Sequence, residues 1–164
     1  MHGSGILIVG LGNALVGDDG AGPAVIARLQ ELGLPPGVRS EDGGADALRL
    51  PSLWHGEREV WLVDAVKSGS APGTICRMRH DEVLSVPQRH ASAHSLSLAE
   101  SLRWIALAYP GMAMVRYRFW GIEVEWLALV EALSPRVAAA GREVAVEMRD
   151  AARQATCDSC DNIH

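Results

Sequence analysis

The sequence has few aromatic residues, few cysteines and no basic block. Aromatic side chains make up 5% of the 164 residues, so the core is expected to come from Leu, Val, Ile and Ala. The three cysteines are Cys76, Cys157 and Cys160, an odd count with two crowded near the C-terminus, which excludes a disulfide framework. The formal net charge is -5 and no Lys/Arg stripe is present. A phosphate-backbone partner favours such a stripe, so nucleic acid is disfavoured. Long apolar runs are also missing. Ile6–Val9, the longest near the N-terminus, is too short for a signal segment or a membrane span. The expectation is a cytoplasmic protein with no membrane partner, and a compact monomer is the simpler state.

What remains is a chain of one-domain length, 48% hydrophobic, which is ample for a folded core. Ile6–Val9 reads as a buried parallel strand broken by Gly10. Gly20–Leu32 reads as a helix with Val25, Ile26 and Leu29 on one face. Val38–Glu41 and Glu59–Val63 read as further strands, with a short helix over Ala45–Leu53 between them. Gly73–Arg79 suits an edge strand, Ser95–Ala108 a helix, and Met112–Trp120 a strand. Glu125–Leu133 reads as a helix. Ser134-Pro135 then signals a new start, and the helix from Pro135 to Gln154 carries Val137, Ala140, Val144 and Met148 at helical spacing. Strands alternating with helices predict one α/β domain over residues 1–154, a three-layer fold with a mostly parallel twisted sheet and helices on both faces. Residues 155–164 are expected to form a polar tail.

Ligands of such sheets bind beyond the carboxyl ends of the strands. Acidic residues follow three of the expected strands: Asp18-Asp19 after the first, Asp42 after the second and Asp64 after the third. Gly10-Leu-Gly12 alone could suggest a dinucleotide loop, but Leu15 stands where the third glycine belongs, and two carboxylates open the following helix, where they would repel phosphate. No nucleotide is expected. Asp18 and Asp19 are adjacent, so their side chains diverge and one of them points into a cleft. A carboxylate directly after a buried strand, as at Asp64, is partly desolvated and needs a partner. Among the histidines, His55, His80 and His90 lie in polar stretches and read as surface residues. His94 lies where a helix should begin, with Ser97 and Glu100 spaced as a capping box. A helix N-terminus disfavours imidazolium, so a neutral ring is available as a ligand. Asp19, Asp64 and His94 together would offer a borderline divalent ion two oxygens and one nitrogen.

Gly10-Leu-Gly-Asn13-Ala-Leu15, Gly17-Asp-Asp19-Gly20, Asp42-Gly-Gly44, Val63-Asp64-Ala65 and His94-Ser-Leu96-Ser-Leu98 resemble, in order and spacing, the nickel–iron hydrogenase maturation endopeptidases. Pro72-Gly73-Thr74 and Gly121-Ile122-Glu123 are also similar, and the likeness spans residues 5–150. The resemblance implies an enzyme that removes a C-terminal extension from the hydrogenase large-subunit precursor once nickel is in place, with the nickel carried by that substrate. It puts the metal-contacting and catalytic roles on Asp19, Asp64 and His94, with Asp18, Asp42 and Asn13 as supporting positions. Hydrolysis could use metal polarisation of the carbonyl or a carboxylate acting as base on water. The family often has Glu where this chain has Asp19, and Thr where it has Ala45.

Two rival readings remain. Leu7-Ile-Val-Gly-Leu-Gly-Asn13 also resembles the opening of peptidyl-tRNA hydrolases, but Asn13 runs into Ala-Leu-Val-Gly-Asp-Asp without that family's catalytic histidine segment. A non-catalytic nickel-binding maturation chaperone would share the ligands and lack turnover. Finally, Cys157, Cys160 and His164 have ligand-like spacing and form a possible auxiliary metal site in the tail, while Cys76 reads as a small core residue.

Overall fold

A computed structural model describes residues 3–85 and 97–161. Five strands form one sheet: β1 (Gly3–Leu11), β2 (Val38–Gly44), β3 (Glu57–Val66), β4 (Ile75–Arg79) and β5 (Arg116–Glu123). Their order is β2-β1-β3-β5-β4. All pairs are parallel except β4 with β5, so the expected edge strand is there and runs antiparallel. The helices are α1 (Ala21–Leu32), α2 (Leu50–Leu53), α3 (His80–Ser85), α4 (Leu98–Ala108) and α5 (Pro135–Asp161). None of them is long and apolar enough to cross a membrane.

The unbroken apolar run of β1 follows from burial on both faces. Ile6 and Ile8 point to one side, where Val25 and Leu29 of α1 meet Val137, Val144 and Met148 of α5. Leu7 and Val9 point to the other, against Leu102 and Ile105 of α4 and Val83 of α3. The three-layer α/β expectation holds. The core is less purely aliphatic than the composition suggested, because Trp61 and Trp120 pack together at 5.5 Å between ring centroids inside the first layer.

Several element readings need correction. Glu125–Leu133 is not a helix; it is an irregular segment whose backbone is bonded to groups outside itself. The strand expected from Met112 begins at Arg116, because Pro110–Met112 forms a 3-10 turn first. Cys76 is half-exposed on the edge strand rather than a core residue. His80 is not a simple surface group. Its Nδ1 accepts the Tyr117 backbone N–H at 3.0 Å and its ring stacks on Tyr117. The helix expected to stop at Gln154 continues to Asp161, so Cys157 is an exposed helical residue and the tail boundary is not a helix end. The capping box expected at the start of α4 is present, with Ser97 Oγ accepting from Glu100 N and Glu100 Oε2 accepting from Ser97 N.

Glycine sets how closely α1 approaches the sheet. A Cβ on Gly22 would lie 2.1 Å from the Leu11 carbonyl oxygen and 2.8 Å from that of Val63. The first turn of α1 is thereby seated on the carboxyl ends of β1 and β3, the two strands between which the strand order reverses. That reversal is where open α/β sheets form a crevice. Backbone atoms are what the added methyl would meet, so they cannot step aside. Gly22→Ala is expected to lose about 2 kcal/mol or more of stability, read as a lowered urea midpoint at unchanged slope.

Candidate active site

The loop after β1 delivers two adjacent carboxylates and the geometry separates their roles. Gly12, at φ +127°, packs so tightly under the loop that a Cβ there would lie 2.0 Å from the Asp19 carbonyl oxygen. The chain folds back on itself, and Asp19 Oδ2 accepts the Asn13 backbone N–H at 2.8 Å. Asn13 Oδ1 in turn accepts Leu15 N at 3.0 Å, closing a local turn. Asn13 meets Asp19 through its backbone N–H.

Asp18 turns the other way. Its side chain is fully buried and accepts four hydrogen bonds: Glu125 N at 2.8 Å, Trp126 N at 3.0 Å, Ser134 N at 2.7 Å and Ser134 Oγ at 2.9 Å. Burial pushes its carboxyl upward, and the bonds from Ser134, Trp126 and Glu125 outweigh that, holding it below the usual range. The i→i−4 partners of a helix over Glu125–Leu133 are drawn elsewhere: Trp126 O accepts Asp18 N while Val130 N turns to Ala128 O, and Val130 O accepts Gly17 N while Ser134 N goes to Asp18. Ser134 likewise gives its hydroxyl to Asp18. Nothing in the sequence pattern signalled this, because the partners lie 107 to 116 residues away.

Asp64 sits near the end of β3, half-buried, with Gly121 of β5 as its register neighbour. Burial and then the nearby Asp19 carboxylate push its carboxyl up to about 7. Among the described residues neither acid has an ion-pair partner. Asp19 and Asp64 therefore form a coupled pair at the crevice. Asp42 does not join them closely. It is exposed, β1 lies between its strand and β3, and two strand spacings amount to about 10 Å. Its Oδ1 accepts Gly44 N at 2.9 Å. His94 lies outside the described residues, three positions before the N-cap Ser97 of α4, and so do the side chains of Cys160 and His164. Among the described residues no group of three His, Cys, Asp or Glu side chains is arranged to hold a metal.

One further carboxylate was legible only as part of a motif. Glu123, at the end of β5, is buried and accepts Ser68 N, Ser68 Oγ and Gly69 N. It fixes the loop that follows β3 just beyond Asp64.

A family profile described as hydrogenase maturation protease matches residues 23–148. The chain belongs to the hydrogenase maturation protease family. The hydrogenase 2 maturation protease of Escherichia coli strain K12 is 31% identical over 155 residues, covering 87% of this chain and 93% of that one. A Methanocaldococcus jannaschii relative is 38% identical over 100 residues, covering 60% of this chain, and the hydrogenase expression/formation protein HupD of Rhodobacter capsulatus is 38% identical over 79 residues, covering 48%. The match spans 65% and 38% of the lengths of those two proteins. The fold superposes on the hydrogenase maturating endopeptidase HybD from E. coli with a TM-score of 0.77 at 29% identity, covering 92% of this chain and 93% of that one. HybD from Thermococcus kodakarensis gives 0.73 at 28% identity, covering 89% and 97%. In this maturation-protease fold the acidic pair occupies the crevice where the sheet reverses.

The coupled pair has a pH signature. The folded chain keeps the Asp64 proton up to about pH 7, whereas the unfolded chain releases it near the ordinary 3.8. Stability therefore falls as pH rises between those values, by up to about 1.4 kcal/mol per pH unit, and the loss is complete above the upper one. Asp64→Asn removes the penalty. It is expected to be more stable than wild type at pH 8 in urea titrations, with the difference shrinking toward pH 4. A difference that does not change with pH would show that Asp64 is not held protonated by the fold.

Proposed function

We propose that this chain is the endopeptidase that removes the C-terminal extension of a nickel–iron hydrogenase large-subunit precursor after nickel insertion. The observation that carries the reading is the Asp19–Asp64 pair at the sheet's reversal point, in a chain of the maturation protease family. A carboxyl held protonated toward neutrality by burial, with a second carboxylate beside it adding to the effect, suits a divalent cation, which would replace the proton and offset both the burial and the repulsion. The nickel is cargo of the substrate. Asp19, Asp64 and His94 are the residues proposed to contact it, and their oxygen and nitrogen donors match a borderline ion. Specificity then comes from completing the site, because a precursor without nickel leaves the two acids unsatisfied.

Hydrolysis adds water across the scissile amide. The water oxygen bonds to the carbonyl carbon, the C–N bond breaks, and the departing amine gains a proton. An ionised carboxylate of the pair would take the proton that water gives up, and a group titrating near neutral pH suits that exchange. No stripe of basic residues offers a tRNA substrate a footing, which disfavours the hydrolase rival.

Incubation with nickel-loaded and nickel-free precursor, followed by intact-mass spectrometry, is the direct test. Loss of a C-terminal peptide from the loaded form alone is expected. Equal cleavage of both forms would remove nickel sensing, and nickel-dependent binding without cleavage would favour a chaperone. Asp64→Ala and His94→Ala are each expected to lower the processing rate by about 100-fold or more with the fold intact by circular dichroism.

A further inference from the structure

The irregular segment Glu125–Ser134 is anchored by hydrogen bonds yet carries apolar side chains into solvent. Its backbone is tied to the loop after β1 by Gly17 N to Val130 O at 2.8 Å and Asp18 N to Trp126 O at 3.3 Å, besides the bonds to the Asp18 carboxylate. Leu129 is 88% exposed, Trp126 50% and Leu127 52%; Val130 and Leu15 of the facing loop are exposed as well. Burying so many apolar side chains would be easy in an ordinary helix with one inward face. Here the Asp18 network instead fixes the backbone and leaves them outward. A contiguous exposed apolar patch of this kind marks an interaction site. Between the two loops lies a hollow of about 260 Å³ lined by Ala14, Gly17, Pro23, Glu131, Ala132 and Leu133, which has room for an aliphatic side chain.

The charge of the patch defines its occupant. Residues 12–20 and 124–134 contain no Lys or Arg, while Glu125 and Glu131 are exposed beside the apolar side chains and Asp19 and Asp64 lie in the adjoining crevice. We propose that the 125–131 segment, with Leu15, is the docking surface for the stretch of substrate polypeptide next to the scissile bond, a stretch that carries Lys or Arg beside aliphatic side chains. The inference rests on the proposed protease function and adds the surface that sets affinity. Trp126, Leu127 and Leu129 bind the substrate, and Asp18 is a positioning residue that acts through them.

The test pairs binding with turnover, using the full chain and nickel-loaded hydrogenase large-subunit precursor. Trp126→Ser with Leu129→Ser should raise KM about 10-fold and leave kcat within about twofold, and interferometry should show the same loss of affinity. Glu125→Gln with Glu131→Gln should raise KM about threefold at low salt and reduce its dependence on salt. Asp18→Asn should raise KM in the same way while leaving the pH profile of kcat in place. Since the first two double variants change only exposed side chains, circular dichroism is expected to match wild type. Unchanged KM and affinity in the Trp126/Leu129 variant overturn the docking surface even if cleavage proceeds. Precursor that binds wild type but stays uncut sinks the protease reading alone, and the docking surface is then judged by whether that variant loses binding. A wild-type dimer in sedimentation that Leu129→Asp dissociates would assign the patch to a second copy and overturn the proposal.

Discussion

The Asp18 carboxylate is a fully buried anion with no cation among the described residues beside it, and the site is arranged around it. Such a charge is costly unless hydrogen bonds replace its hydration. Three backbone N–H groups and one hydroxyl do so, all from a segment more than a hundred residues later. Each bond to an ionised acceptor is worth about 1.5–3 kcal/mol, and removing the acceptor would leave several donors unsatisfied at once. The segment therefore has little freedom to be anything other than what Asp18 requires. One carboxylate joins the first loop of the fold to the connection between its last strand and last helix.

The neighbouring acid plays the opposite part. Asp19 is half-buried and receives one backbone N–H from its own loop, so its charge is incompletely compensated and acts on Asp64. Adjacent residues thus divide the work: one neutralises itself against protein donors and builds the frame, the other keeps its field directed into the crevice. Glycine makes this division possible. Gly12 lets the loop fold onto Asp19, and Gly22 lets the first turn of α1 touch the ends of β1 and β3. The glycine pattern that superficially resembles a phosphate-binding loop serves backbone packing around two acids.

A related pattern appears across the sheet. Glu123 repeats the device of Asp18 on the far side of Asp64, accepting from Ser68 and Gly69. Buried acids satisfied by loop N–H groups hold the connections on either side of the pair, so an electrostatically strained centre sits in a rigid rim. Rigidity of the rim also explains how exposed apolar residues on the 125–131 segment can be presented in a fixed arrangement without a helix beneath them.

Much of this was legible in the residues alone. Continuous apolar strands, the capping box at Ser97 and Glu100, the face of α5 and the acids at strand ends are local features, and local periodicity and capping chemistry determine them. The α/β class follows from strands alternating with helices, which also puts acids on one rim; that Asp19 and Asp64 meet there depends on β1 and β3 being neighbours, which the tertiary structure decides. The irregular 125–133 segment was not legible. Its composition favours a helix, and the preference is overridden by hydrogen bonds that its carbonyls and Ser134 N make with the loop after β1, distant in sequence. Local pattern alone did not tell Asp18 from Asp19, since adjacent carboxylates in one turn look alike; the family resemblance pointed to Asp19, and the fold buries Asp18 and leaves Asp19 to act on Asp64. Local pattern determined which residues could carry charge to the rim; long-range burial decided which of them would be compensated by protein donors and which would be left facing one another in the crevice.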